Sequence, residues 1–189
     1  MACQGTTKLT KNIGASVCVM PGGYDKKAWV FNKDDFSGRV FNSTSKNLED
    51  FVIATGKQGF SAVGRKDKNT AGATAVVSDS GVTWNHSVSL KFYHDTQIER
   101  NAINEFVKAE ELIVFMLGND NVIEVFGLYK GLNTASSSYV GGTVQSDEKS
   151  ITVAKEGIEA DLPWIFRSAA ASTLEDDIAY LDAMLLVQS

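Results

Sequence analysis

Histidine is the side chain best suited to move protons or hold a metal near neutral pH, and the 189-residue chain has two, His86 and His94. They share strand parity, but eight residues of extended chain place them roughly 26 Å apart, too far to share one ion. His86 also falls in an alternating apolar run beside Trp84, which points to a packed, hydrogen-bonded ring rather than a ligand or a base. The carboxylates converge no better. Asp34-Asp35 and Glu110-Glu111 are adjacent pairs, and neighbours on an extended chain face opposite ways. Glu175-Asp176-Asp177 opens a helix, where negative charge complements the dipole. Ser136-Ser137-Ser138 has no His or Asp at a telling distance, and the basic run Arg65-Lys66-Asp67-Lys68 reads better as a solvated turn than as a phosphate contact. P-loop, G-x-S-x-G, H-E-x-x-H and C-x-x-C patterns are missing. The expectation is therefore a protein without catalytic residues, metal or cofactor, and not an enzyme.

Composition narrows the remaining classes. Eighteen basic and 23 acidic side chains give a net charge of −5, which argues against tight phosphate binding. The acidity is local: from Glu148 onward there are 8 acidic and 3 basic residues, while residues 1–147 carry 15 of each. Cys3 and Cys18 are too few for a disulfide framework and read as free thiols. No apolar stretch precedes Cys3, so a lipoprotein or secretory signal is not expected. No run approaches the ~20 apolar residues of a membrane span. Sixteen glycines against two prolines suit strands joined by tight turns.

The elements follow from periodicity. Residues 1–24 are polar and Gly-rich and read as an arm, with a turn at Pro21-Gly22-Gly23. Short strands are expected at 28–31 and 51–55, separated by a polar loop, 32–47, that Val40-Phe41 interrupts. Gly59–Arg65 and Ala71–Val77 flank a polar turn and read as a β-hairpin with a charged tip, thinly hydrophobic and marginal alone. From Val82 to Tyr93 alternation is strict, with Val82, Trp84, His86, Val88, Leu90 and Phe92 on one face. Thr96 and Glu99 form a capping box for a helix near 96–108, striped by Ile98, Ala102, Ile103, Phe106 and Val107. Leu112–Leu117 and Val122–Tyr129 are near-continuous apolar strands joined by Gly118-Asn119-Asp120-Asn121, so both faces must be covered. Residues 132–139 read as a Ser/Thr loop, 140–145, 151–154 and 164–166 as short strands, and Ser172 with Glu175 as the capping box of a last helix striped by Leu174, Ile178, Leu181 and Leu185.

The fold class is mainly β with α: an antiparallel β-sandwich with a flanking helix and a C-terminal helix. The expected division is an arm at 1–24, the sandwich at 25–168, and an acidic helix at 169–189 extending from the body. A weak hairpin, strands covered on both sides, and two extensions favour a self-assembling structural subunit.

One string carries a resemblance. An alternating strand at 83–93, a capped helix from Thr96, the strand Leu112–Leu117, then V-F-G-L-Y-x-G-L at Val125–Leu132, a Ser/Thr-rich stretch and Gly141-Gly142 together resemble tail tube and tail-tube-like virion proteins of bacteriophages, particularly those infecting Bacteroidetes. The similarity spans roughly residues 50–168. It implies a ring-forming sandwich, stacked as hexameric rings whose inner strands join into one β-barrel that conducts DNA into the host. It implies as partners other copies of the chain, other phage tail proteins and DNA in non-sequence-specific transit, with no membrane segment, and as location the virion tail after assembly in host cytoplasm. Within that reading Phe60, Arg65, Lys66, Asp67, Lys68 and Asn69 are candidates for an inter-subunit or lumen hairpin, and Asp34, Asp35, Phe36 and Arg39 for a stacking loop. A neck, ring or hub subunit and a monomeric ligand-binding sandwich are the alternatives.

Overall fold

The computed structural model describes residues 22–64, 68–79, 81–93, 96–141 and 148–185. Eleven strands and two α-helices follow in chain order: β1 (Tyr24–Asn32), a 3-10 turn (Lys33–Asp35), β2 (Phe36–Phe41), β3 (Leu48–Ile53), β4 (Phe60–Val63), β5 (Thr70–Ser78), β6 (Gly81–Phe92), α1 (Gln97–Lys108), β7 (Leu112–Gly118), β8 (Ile123–Phe126), β9 (Asn133–Val140), β10 (Ser150–Glu159), β11 (Trp164–Phe166) and α2 (Leu174–Ala183). They build a seven-stranded sheet, β2-β3-β11-β8-β7-β1-β4, and a four-stranded sheet, β5-β6-β10-β9. Every pairing is antiparallel except β11 with β3.

Two apolar clusters hold the sheets. The first lies between them: Ala28, Val30, Val114, Met116 and Phe126 of the larger sheet meet Val88, Leu90, Phe92 and Val153 of the smaller, with Ile103 of α1 closing one side. The second lies on the opposite face of the larger sheet, around Trp29, Phe31, Phe51, Ile113, Phe115 and Phe166. The continuous apolar run of β7 is thereby explained, because odd positions enter one cluster and even positions the other. The larger sheet curls enough for Phe51 of β3 to sit 5.3 Å, ring to ring, from Phe31 of β1.

α2 plugs that curl. Leu181 is fully buried, and Leu174, Ile178, Tyr180 and Met184 pack around it. The helix does not extend from the body as expected; its apolar stripe of Leu174, Ile178, Leu181 and Leu185 is drawn into the curl. Its capping box is Thr173 with Asp176, one residue later than Ser172 with Glu175. The box of α1, Thr96 with Glu99, is the one expected.

The hairpin expected over 59–77 does not exist. β4 pairs with β1 in the larger sheet, and β5 pairs with β6 in the smaller. The turn between them carries the chain from one layer to the other. Two apolar runs around a polar turn look alike whether the chain folds back or crosses over, which is why periodicity misassigned it. The true hairpin is β5–β6, closed between Ser78 and Gly81. Two expected loops also carry strands: 32–47 contains β2, and 132–139 is nearly all β9. Pairing with β3 and β10 supplies the order that their polar composition hid. The expected strand at 151–154 runs longer, as β10. Most of the arm, and all but the first two residues of the strand expected at 140–145, lie outside the described residues.

Candidate assembly surface

The chemistry-bearing side chains are taken up by the fold. His86 is buried; its Nε2 donates to the Asp161 carbonyl at 2.8 Å, and its Nδ1 accepts from the Gly127 amide at 3.2 Å. Both nitrogens are engaged in one tautomer, and burial holds the ring below its ordinary pKa. Glu159, also buried, accepts from the amides of Tyr129 and Lys130. Asp177 accepts from the Ser168 amide at 2.7 Å and from Arg167 at 3.0 Å, tying α2 to the segment after β11. Among the described residues no three His, Cys, Asp or Glu side chains gather as metal ligands. A groove of about 430 Å³ beside α2 is lined by Phe51, Val52, Lys57, Tyr180 and Met184. A second cleft mixes Lys33, Lys57, Asp34, Asp35, Glu110 and Glu111, with Lys33 paired to Glu111 and Lys57 to Asp35.

The expected stacking loop is partly interior. Phe36 stacks on Phe51 at 4.8 Å, and Arg39 donates to the Leu128 carbonyl at 2.8 Å while lying over the rings of Tyr129 and Phe36. Both belong to β2, so neither is free for a partner in the way a loop residue would be. Asp34 is exposed in the 3-10 turn, and Asp35 accepts from Asn32. Of the expected hairpin residues, Phe60 is exposed at the start of β4 and Lys68 is exposed in the crossing. Asn69 is buried: its amide donates to the carbonyls of Asp25 and Lys26 and its oxygen accepts from the Lys91 amide. It joins the two layers. Arg65, Lys66 and Asp67 lie outside the described residues.

What the sequence reading missed is the smaller sheet itself. Its outer face carries Thr70, Gly72 and Thr74 of β5, Thr83, Asn85, Ser87, Ser89 and Lys91 of β6, Thr152, Ala154 and Glu156 of β10, and Ser136 and Ser138 of β9, placed together by the register. It is a field of mostly small polar groups, with Val76 beside Thr83 and Ile158 beside Asn85 exposed among them. Lys91 pairs with Glu148 at 2.8 Å, which holds the ammonium above its usual pKa, and Glu156 accepts from the neutral amide of Asn85. The two margins, β5 and β9, contain no charged residue and no proline. Natural margins that face water are normally blunted by Lys, Pro or bulges against unwanted pairing; of these, β9 has a register shift against β10 between Ala154 and Lys155. The runs of Ser, Thr, Ala and Gly that looked like loop were the available signal. At its far end the β5–β6 hairpin stands clear of both clusters, with Val77 78 % and Val82 55 % exposed.

Comparison with known proteins returned no matching family model, curated sequence or solved structure. Among the described residues no helix is long and apolar enough to cross a membrane.

Proposed function

We propose that the chain is a structural subunit that pairs with copies of itself through β5 and β9, and that it serves as a tail tube protein of a bacteriophage virion. The supporting observation is the four-stranded sheet whose two margins carry no charged residue and no proline. Strand parity favours ring closure. Four alternating strands make β5 and β9 run in opposite senses. A rotation about an axis along the strands therefore lays β9 of one copy antiparallel to β5 of the next, and the ladder continues unbroken. Six such sheets, the number implied by the family resemblance, form a barrel with a backbone diameter of about 37 Å for upright strands and about 48 Å for strands tilted by ~40°. Placed inward, the outer face lines that bore mainly with hydroxyls, the Lys91–Glu148 pair and the Glu156 carboxylate. Such a wall offers DNA no unneutralised cationic track, so a duplex passes without being held.

Sedimentation velocity and negative-stain microscopy of the purified chain at rising concentration test the proposal. Rings or tubes with a central bore are the expected outcome. The paired substitution Ser136→Lys and Ser138→Lys on β9 is expected to leave folded monomers only. A wild-type chain that stays monomeric at every concentration, alone and with other tail components, overturns it.

A further inference from the structure

α1 lies over the inner side of the smaller sheet at β9 and β10, and its hold there is slight. Of its twelve residues Ile103 alone is fully buried, Phe106 and Val107 are half-buried against the core, and the other nine are exposed, Ile98 by 81 %. Beneath its last turn sits a charge. Lys155, buried in β10, donates from Nζ to the Ala109 carbonyl at 2.7 Å and to Thr134 Oγ1 at 2.8 Å, with the Phe106 ring centre 4.9 Å away. The Thr134 hydroxyl in turn donates to the Val107 carbonyl. The junction that follows is strained, because Glu111 holds a left-handed φ of 51°.

We infer that α1 is a displaceable element, lifting from the β9–β10 face as a unit because release returns the Lys155 ammonium to water. An ammonium taken out of water is disfavoured even when hydrogen-bonded, and only the covered state bears that penalty. The surroundings of Lys155 do little to offset it. α1 supplies the Phe106 ring and the Ala109 carbonyl, β9 the Thr134 hydroxyl, and β6 the cross-strand Val88; the charged group that acts on it is Glu110. Burial pushes the Lys155 pKa down from 10.5 to about 8. Lifting restores the higher value, so it takes up a proton between those limits. Release is easiest at neutral pH and is suppressed as pH rises. None of this depends on how copies of the chain assemble.

Hydrogen exchange of the full chain at pH 7, 8 and 9, corrected for intrinsic rates and resolved by peptide, tests the inference. α1 amides are expected to exchange through an opening at least ten times more populated than that of β7, and this opening is expected to fall about tenfold from pH 7 to pH 9. Lys155→Met is expected to lower the opening at pH 7 and to remove its pH dependence. Equal protection of α1 and β7, or an α1 opening in the wild-type chain that does not change with pH, overturns the inference. The wild-type series decides by itself should the Met variant fail to fold.

Discussion

The indole nitrogen of Trp29, on β1, donates a 2.6 Å hydrogen bond to Asp182, on α2, across 153 positions of sequence. Lys27 reaches the same carboxylate, and Tyr180 donates to Asp50 of β3. Three polar ties from α2, two at Asp182 and one at Tyr180, reach both limbs of the curled sheet. α2 therefore acts as a keystone of the second cluster, with Leu181 inside the core.

That position makes Leu181 a sensitive reporter. Leu181→Ala removes a fully buried side chain from a helix wedged in a curl that cannot collapse onto the gap. The expected loss is about 3 kcal/mol. Urea unfolding checks it, and a loss below about 1 kcal/mol would place the helix outside the cooperative unit.

Asn69 is expected to separate layer joining from surface chemistry. Asn69→Ala strips the carbonyls of Asp25 and Lys26 and the Lys91 amide of a buried partner. The expected cost is about 2 kcal/mol, against almost nothing for Lys68→Ala one residue earlier, where the side chain is in water. Denaturation midpoints of the two variants, measured side by side, provide the comparison.

His86 sets the acid limit of the fold. The unfolded chain takes up a proton near pH 6.5, while the folded ring resists it, since Nδ1 must stay an acceptor for the Gly127 amide. The unfolded state then binds more protons, so stability is full above about pH 6.5 and declines as pH falls below it. His86→Gln is expected to be less stable at pH 7.5 and to show a shallower decline from pH 6.5 to pH 5, read from urea midpoints at each pH.

Legibility from the amino-acid sequence followed physical locality. β6 was readable because alternation from Val82 to Phe92 is a property of consecutive residues, and its burial pattern repeats it from His86 to Phe92. The Thr96–Glu99 box was readable for the same reason. The route of the chain at Gly64–Asn69 was not, because which sheet a strand joins is decided by partners far away: Lys27 for Val63, Val88 for Ala71. β9 was lost to its composition, since Ser136, Ser137 and Ser138 owe their order to β10. Phe36 and Arg39 were misplaced as loop residues for lack of any local sign that β3 lay opposite. The candidate surface stayed hidden because it is made of small side chains from four strands and of two margins, and neither gathers in any short window.

The free end of the β5–β6 hairpin has a practical consequence. Asp79 and Gly81 sit at the apex of a ribbon whose last valines touch neither cluster. A foreign peptide grafted between them lengthens the ribbon without disturbing a packed side chain. The apex is thus a natural point for displaying an epitope or a dye, and in a repeating assembly it would present that cargo once per subunit at regular spacing.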